Sequence, residues 1–135
     1  MKNPKTTSVL VGLGLVLVLT LGDAQGRPVV NHTLTNTFIN NTGLVVGGLH
    51  IEYNTSGFLM VSQNPANTFA NVQWDYNGQV NLSSGTVAAG GSVQITISVP
   101  NQPRTRVDSW WWTDGSGNLV GQTHNGCRNP DCTTP

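Results

Sequence analysis

The sequence predicts an all-β fold: an antiparallel two-sheet sandwich of seven to eight strands, immunoglobulin-like or fibronectin-III-like in architecture. Three observations predict it. Apolar residues recur with period two in short runs. Glycine, asparagine and proline clusters separate those runs. Behind an N-terminal leader about 110 residues remain, which suits two sheets that each bury one face.

Taken in order, "HTLTNTFINN" (32–41) alternates from its start and puts Leu34 and Phe38 on one face, and "NNTG" then turns. "GLHIEYN" sets Leu49, Ile51 and Tyr53 against His50, Glu52 and Asn54. "GFLMVS" (57–62) is a short continuous apolar run, ended by "NPAN". "FANVQWDY" (69–76) places Val72, Trp74 and Tyr76 opposite Gln73 and Asp75. "GQVNLSSG" is the next strand, and "SVQITISVP" sets Val93, Ile95, Ile97 and Val99 against Gln94, Thr96 and Ser98. "RVDSWWWT" and "NLVGQT" close the domain around a glycine-rich turn.

The pattern tests one register. Asn77-Gly78 is a strong two-residue hairpin signal. A two-residue loop, however, would set Trp74 opposite Asn81, and opposed residues share a face. A three- or five-residue loop pairs Trp74 with Leu82 or with Val80, apolar with apolar. An odd loop is expected, or strands in different sheets.

Residues 1–26 read as a secretory signal peptide. Lys2 and Lys5 precede a 13-residue apolar run, Val9 to Leu21, followed by the small residues Ala24 and Gly26, and cleavage after either fits. The run falls short of the roughly 20 residues of a membrane span. Residues 27–126 then form the sandwich, and 127–135 a tail. The expected location is secreted, extracellular or at the cell surface, with no membrane span in the mature chain.

Both lysines lie in the leader. The domain keeps four arginines (Arg27, Arg104, Arg106, Arg128) against five carboxylates (Glu52, Asp75, Asp108, Asp114, Asp131), a balance of about −1. This excludes the basic stripe a nucleic-acid partner requires. It also rules out lysine Schiff-base chemistry.

Cys127 and Cys132 enclose "RNPD", in which Asn129-Pro130 favours a turn. In an exported chain they are expected to form a disulfide. Its short loop contributes about 2 kcal/mol in the chain-entropy account. A metal reading would converge His124, Cys127, Asp131 and Cys132, but the spacing fits no common zinc pattern. "DGSGN" spaces Asp114, Ser116 and Asn118 like the start of a calcium loop, yet Leu119 stands where that loop needs glycine. A plain turn accounts for it, and no metal or cofactor is expected.

Asn31, Asn40, Asn54 and Asn81 each begin an Asn-x-Ser/Thr sequon and are candidate glycosylation sites. No nucleophilic-serine motif occurs. Glu52 and Asp75 could act as a glycosidase pair only if the fold brought them together. The chain is therefore expected not to be an enzyme.

Three of the four tryptophans are consecutive: Trp110, Trp111 and Trp112. Strand parity puts Trp110 and Trp112 on one face, with Asp108. Trp111 faces the other way, with Val107, Ser109 and Thr113. Ser109 and Thr113 resemble an outward face, which sets Trp111 outside. Asp108 and Val107 argue the reverse. An exposed ring suits stacking on a sugar. Trp111 is thus the leading ligand-binding candidate, with Trp110 and Trp112 as alternatives. The reading reached is an exported binding or adhesion module, with a polysaccharide or another surface protein as its partner. A second reading is a structural subunit that self-associates by strand pairing, using "VVNHTLTNTF" as its donor. A small secreted hydrolase is the third.

Overall fold

The computed structural model describes residues 28–58, 60–127 and 131–132, with Asp131 described at its backbone alone. The signal peptide expected over residues 1–26, with its cleavage point, lies outside these residues. So does most of the tail.

Alternation becomes strand wherever it was seen. The strands are β1 (Asn31–Ile39), β2 (Gly48–Tyr53), β3 (Met60–Asn64), β4 (Phe69–Trp74), β5 (Gln79–Gly85), β6 (Ser92–Pro100), β7 (Val107–Thr113), β8 (Leu119–Asn125) and a two-residue β9 (Asp131–Cys132). They build a two-sheet sandwich ordered β3-β6-β1-β9 and β4-β5-β2-β7-β8. All pairs are antiparallel except β1 with β9.

Consecutive strands β1 and β2 lie in opposite sheets, as do β6 and β7. β1 pairs with β6 while β2 pairs with β7. That interlocking matches the central B, C, E and F strands of an immunoglobulin-type sandwich. The chain departs from that scheme in between. After β2 it crosses to the first sheet for β3, then returns to make the β4–β5 hairpin on the far edge of the second.

β1 is paired with β6 along its whole length, from Asn31↔Pro100 to Ile39↔Ser92, and on its other side with β9 at Thr37 and Phe38. Of the segment 29–38, offered from the sequence as a donor to a neighbouring molecule, residues 31–38 are thus already paired inside the chain's own sheet. Exporting them would open the four-stranded sheet through its middle.

The core fills the space between the sheets. Trp110 (0% exposed) meets Phe38 of the opposite sheet edge-on at 5.2 Å and Trp112 at 5.9 Å. Its indole N–H donates to the Gly126 carbonyl at 3.2 Å. Ile51, Val80, Ile95, Ile97 and Val99 complete the layer. Tyr53 packs edge-on against Phe58, and burial pushes its phenol well above the ordinary range. The β4–β5 register is Trp74↔Val80, the five-residue loop that apolar matching favoured.

That loop has a twin. In "DYNGQ" the Asp75 carboxylate accepts from the Asn77 and Gln79 amides at 2.9 and 3.1 Å, and Gly78 takes φ +89°. In "DGSGN" the Asp114 carboxylate accepts from the Ser116 and Asn118 amides at 2.8 and 2.9 Å, and Gly117 takes φ +86°. Asp at the first position and glycine at the fourth therefore write the same turn twice.

Cys127 and Cys132 are disulfide-bonded, with Cα atoms 4.5 Å apart. Cys127 follows β8 of one sheet, whereas Cys132 lies in β9 beside Phe38 of the other. The bond links the two sheets rather than only restraining a tail.

Candidate functional site

The tryptophan run divides by parity. Trp110 and Trp112 are buried, and Trp111 points outward from the five-stranded sheet, half-buried. As alternative ligand contacts, Trp110 and Trp112 are closed off by the core. The register sets four outward residues in one row across four strands: Gln73, Asn81, His50 and Trp111. With neighbouring strands about 4.8 Å apart, that row spans about 14 Å. Glu52 and Ser109 oppose each other in the next row.

These side chains hold one another. The His50 ring stacks on Trp111, with centroids 4.1 Å apart and planes 21° from parallel. Its Nδ1 lies 2.5 Å from Asn81 Oδ1, and its Nε2 lies 3.3 Å from Glu52 Oε2. Ser109 donates to Glu52 Oε1 at 2.8 Å. Only 12% of the His50 side chain is exposed. The sequence pointed to His50 as an ordinary solvent-facing residue; stacking between adjacent strands buries most of it. One face of the Trp111 indole is covered in the same contact.

The trio Ser109, Glu52 and His50 does not amount to nucleophile activation. A hydrolytic triad places the base between the nucleophile and the acid. Here the carboxylate occupies the middle, and the serine hydroxyl donates to it. The other carboxylates among the described side chains are engaged locally. Asp75 and Asp114 cap their own turns, and Asp108 pairs with Arg106 at 3.4 Å. Glu52 and Asp75 are separated by the width of β5, about 10 Å on the backbone. The Asp114 carboxyl is held below its ordinary pKa by its bonds to Asn118 and Ser116, so its oxygens serve the turn. Both cysteines of the metal reading are consumed by the disulfide. Among the described residues, no three His, Cys, Asp or Glu converge to hold a metal.

The sequons fare unequally. Asn31, Asn54 and Asn81 are exposed. Asn40 is 0% exposed, and its Nδ2 lies 2.7, 3.0 and 3.1 Å from the carbonyls of Leu44, Val87 and Ala88. Both amide hydrogens are engaged, so this residue ties loops together and has no room for a glycan.

Sequence reasoning missed a second aromatic surface. Trp74 and Tyr76 were grouped on an apolar strand face, yet they are 41% and 77% exposed. β4 is an edge strand, so Trp74, although paired with the buried Val80, sits at the side of the sheet, and Tyr76 lies on the turn beyond it. Their neighbours at this end of the sandwich are the β2–β3 and β6–β7 loops. Those loops enclose an open cavity of about 380 Å³ lined by Asn54, Thr55, Gln102, Pro103, Arg104 and Thr105. The signal that could have found this surface is "WDYNG" itself, since a turn tip carries its aromatic into solvent.

Among the described residues no helix is long and apolar enough to cross a membrane. No protein-family model matches the chain, and no similar curated protein or solved structure is found.

Proposed function

We propose that this is a secreted, non-catalytic sandwich module that binds a glycan at the cell surface or in extracellular matrix. Its contact would be the outer face of the five-stranded sheet. The observation that carries the reading is the Trp111–His50 stack set in a row with Asn81 and Gln73. An aromatic edge flanked by amides, with little charge, suits the alternating C–H and O–H groups of a sugar chain. The contacts of the His50 ring nitrogens with Asn81 Oδ1 and Glu52 Oε2 fix the row before ligand arrives, which lowers the ordering cost of binding.

The test is polysaccharide pull-down or a glycan array with the mature protein, its Trp111→Ala variant and its His50→Ala variant. Both side chains face outward, so circular dichroism is expected to match wild type. Binding is expected to weaken about tenfold in Trp111→Ala, the loss of one aromatic stack with its buried area. Full binding by Trp111→Ala would refute the proposal for this face.

A further inference from the structure

The loop end of the sandwich differs in chemistry from the sheet face. Asn54 stitches the β2–β3 loop to the β6–β7 loop. Its Nδ2 donates to the Arg104 carbonyl at 3.1 Å, its Oδ1 accepts from the Arg106 amide at 2.7 Å, and its own amide donates to the Arg106 carbonyl at 3.1 Å. Thr55 bonds the Gln102 side chain, which donates in turn to the Ser56 carbonyl at 2.8 Å. Thr105 donates to the Gln102 carbonyl at 2.8 Å. The cavity walls are thereby held by side-chain bonds from both loops.

Two groups at this end have chemistry left over. Arg104 is exposed and lines the cavity, and among the described residues no carboxylate pairs with it. Arg106 is already matched by Asp108. No acid lines the cavity. Tyr76, on the β4–β5 turn, leans over the same β2–β3 loop. A Cβ added to Gly57 would sit 4.0 Å from its ring. Trp74 stands two residues behind it.

We infer that this end binds a carboxylate-bearing saccharide, with Arg104 as the carboxylate's partner and Tyr76 as a stacking surface beside it. The planar guanidinium fork matches a carboxylate by two parallel N–H bonds. The amides and hydroxyls of the cavity suit sugar hydroxyls. The inference rests on the glycan reading above but uses a different surface.

The experiment is isothermal titration of the mature protein with trigalacturonate and with a neutral cello-oligosaccharide of equal length. Variants are Arg104→Gln, Tyr76→Ala and Trp111→Ala. Only the backbone of Arg104 is used by the fold, so Arg104→Gln leaves the loops in place. Trigalacturonate affinity is expected to fall about tenfold in Arg104→Gln and severalfold in Tyr76→Ala, and to stay unchanged in Trp111→Ala. Equal trigalacturonate affinity in wild type and Arg104→Gln overturns the inference. So does binding of the neutral oligosaccharide alone, which leaves the glycan reading standing if Trp111→Ala abolishes it. Binding of neither sugar, with no hit on a glycan array, overturns both.

Discussion

Replacing Asn40 by alanine removes the side chain that ties the β1–β2 loop to the β5–β6 loop. The cost can be worked from its partners. Asn40 Nδ2 reaches three carbonyls, but each keeps a second donor: Leu44 O accepts from Thr42 Oγ1, Val87 O from the Val46 amide, and Ala88 O from the Gly91 amide. No carbonyl is orphaned. Each lost bond therefore counts at its net value of about 1 kcal/mol rather than at a full desolvation penalty. The Thr42 amide and hydroxyl, which bond Asn40 Oδ1 at 3.1 and 2.7 Å, lie nearer solvent and add little. With two amide hydrogens shared among three carbonyls, the loss sums to about 2 kcal/mol, or about 8 °C in Tm for a domain of this size. Urea unfolding followed by tryptophan fluorescence measures it, with the slope expected to hold and the midpoint to fall. Asn40→Asp sharpens the test. It keeps the shape but replaces both donors by an acceptor facing three carbonyls, so it should cost more than alanine. A loss under about 1 kcal/mol in Asn40→Ala, or an Asn40→Asp variant more stable than Asn40→Ala, would refute the reasoning.

Two further outcomes are expected. Gly78 and Gly117 hold equivalent left-handed positions in the twin turns, but a Cβ at Gly78 would strike the Thr55 and Tyr53 carbonyls, whereas Gly117 faces open space. Gly117→Ala should then cost about 1–2 kcal/mol from backbone strain alone and Gly78→Ala several kcal/mol more, and equal losses by chemical denaturation would count against the packing account. His124 is 6% exposed against Trp110, and burial holds its imidazole below the ordinary pKa. The unfolded chain then binds the extra proton, so stability is full above about pH 6.5 and declines as pH falls below it. Denaturation midpoints from pH 8 to 5 should show that decline in wild type and a flatter profile in His124→Phe.

The fold was legible where one periodicity had one solution. Leu49, Ile51 and Tyr53, and Val93 to Val99, could bury only as strands. Trp110 and Trp112 could share the core only if Trp111 left it. Strand order was not legible. An inward-facing Val61 looks the same in either sheet, so nothing local sends β3 to one sheet and the β4–β5 hairpin to the other. Parity also cannot say where the core stops. It put Trp74 on the inward side of β4 correctly, opposite the buried Val80, but an edge strand has no neighbour on its far side and leaves the ring in solvent. Asn40 illustrates a different limit. An Asn-x-Thr motif reads identically whether its amide faces water or three carbonyls. The His50–Trp111 stack needed register, because residues 61 positions apart meet only once β2 and β7 are aligned.

The disulfide's position carries a consequence for association. β9 covers only Thr37 and Phe38 of β1's outer edge, held there by this pairing, by the burial of Cys132 in the core and by its bond to Cys127. Reduction breaks that bond. Loss of β9 would add Thr37 and Phe38 to the part of β1's edge that no described strand covers, lengthening the rim able to accept an extended segment from another molecule. The same bond that ties the two sheets together would thus also shorten the edge that β1 offers to another molecule.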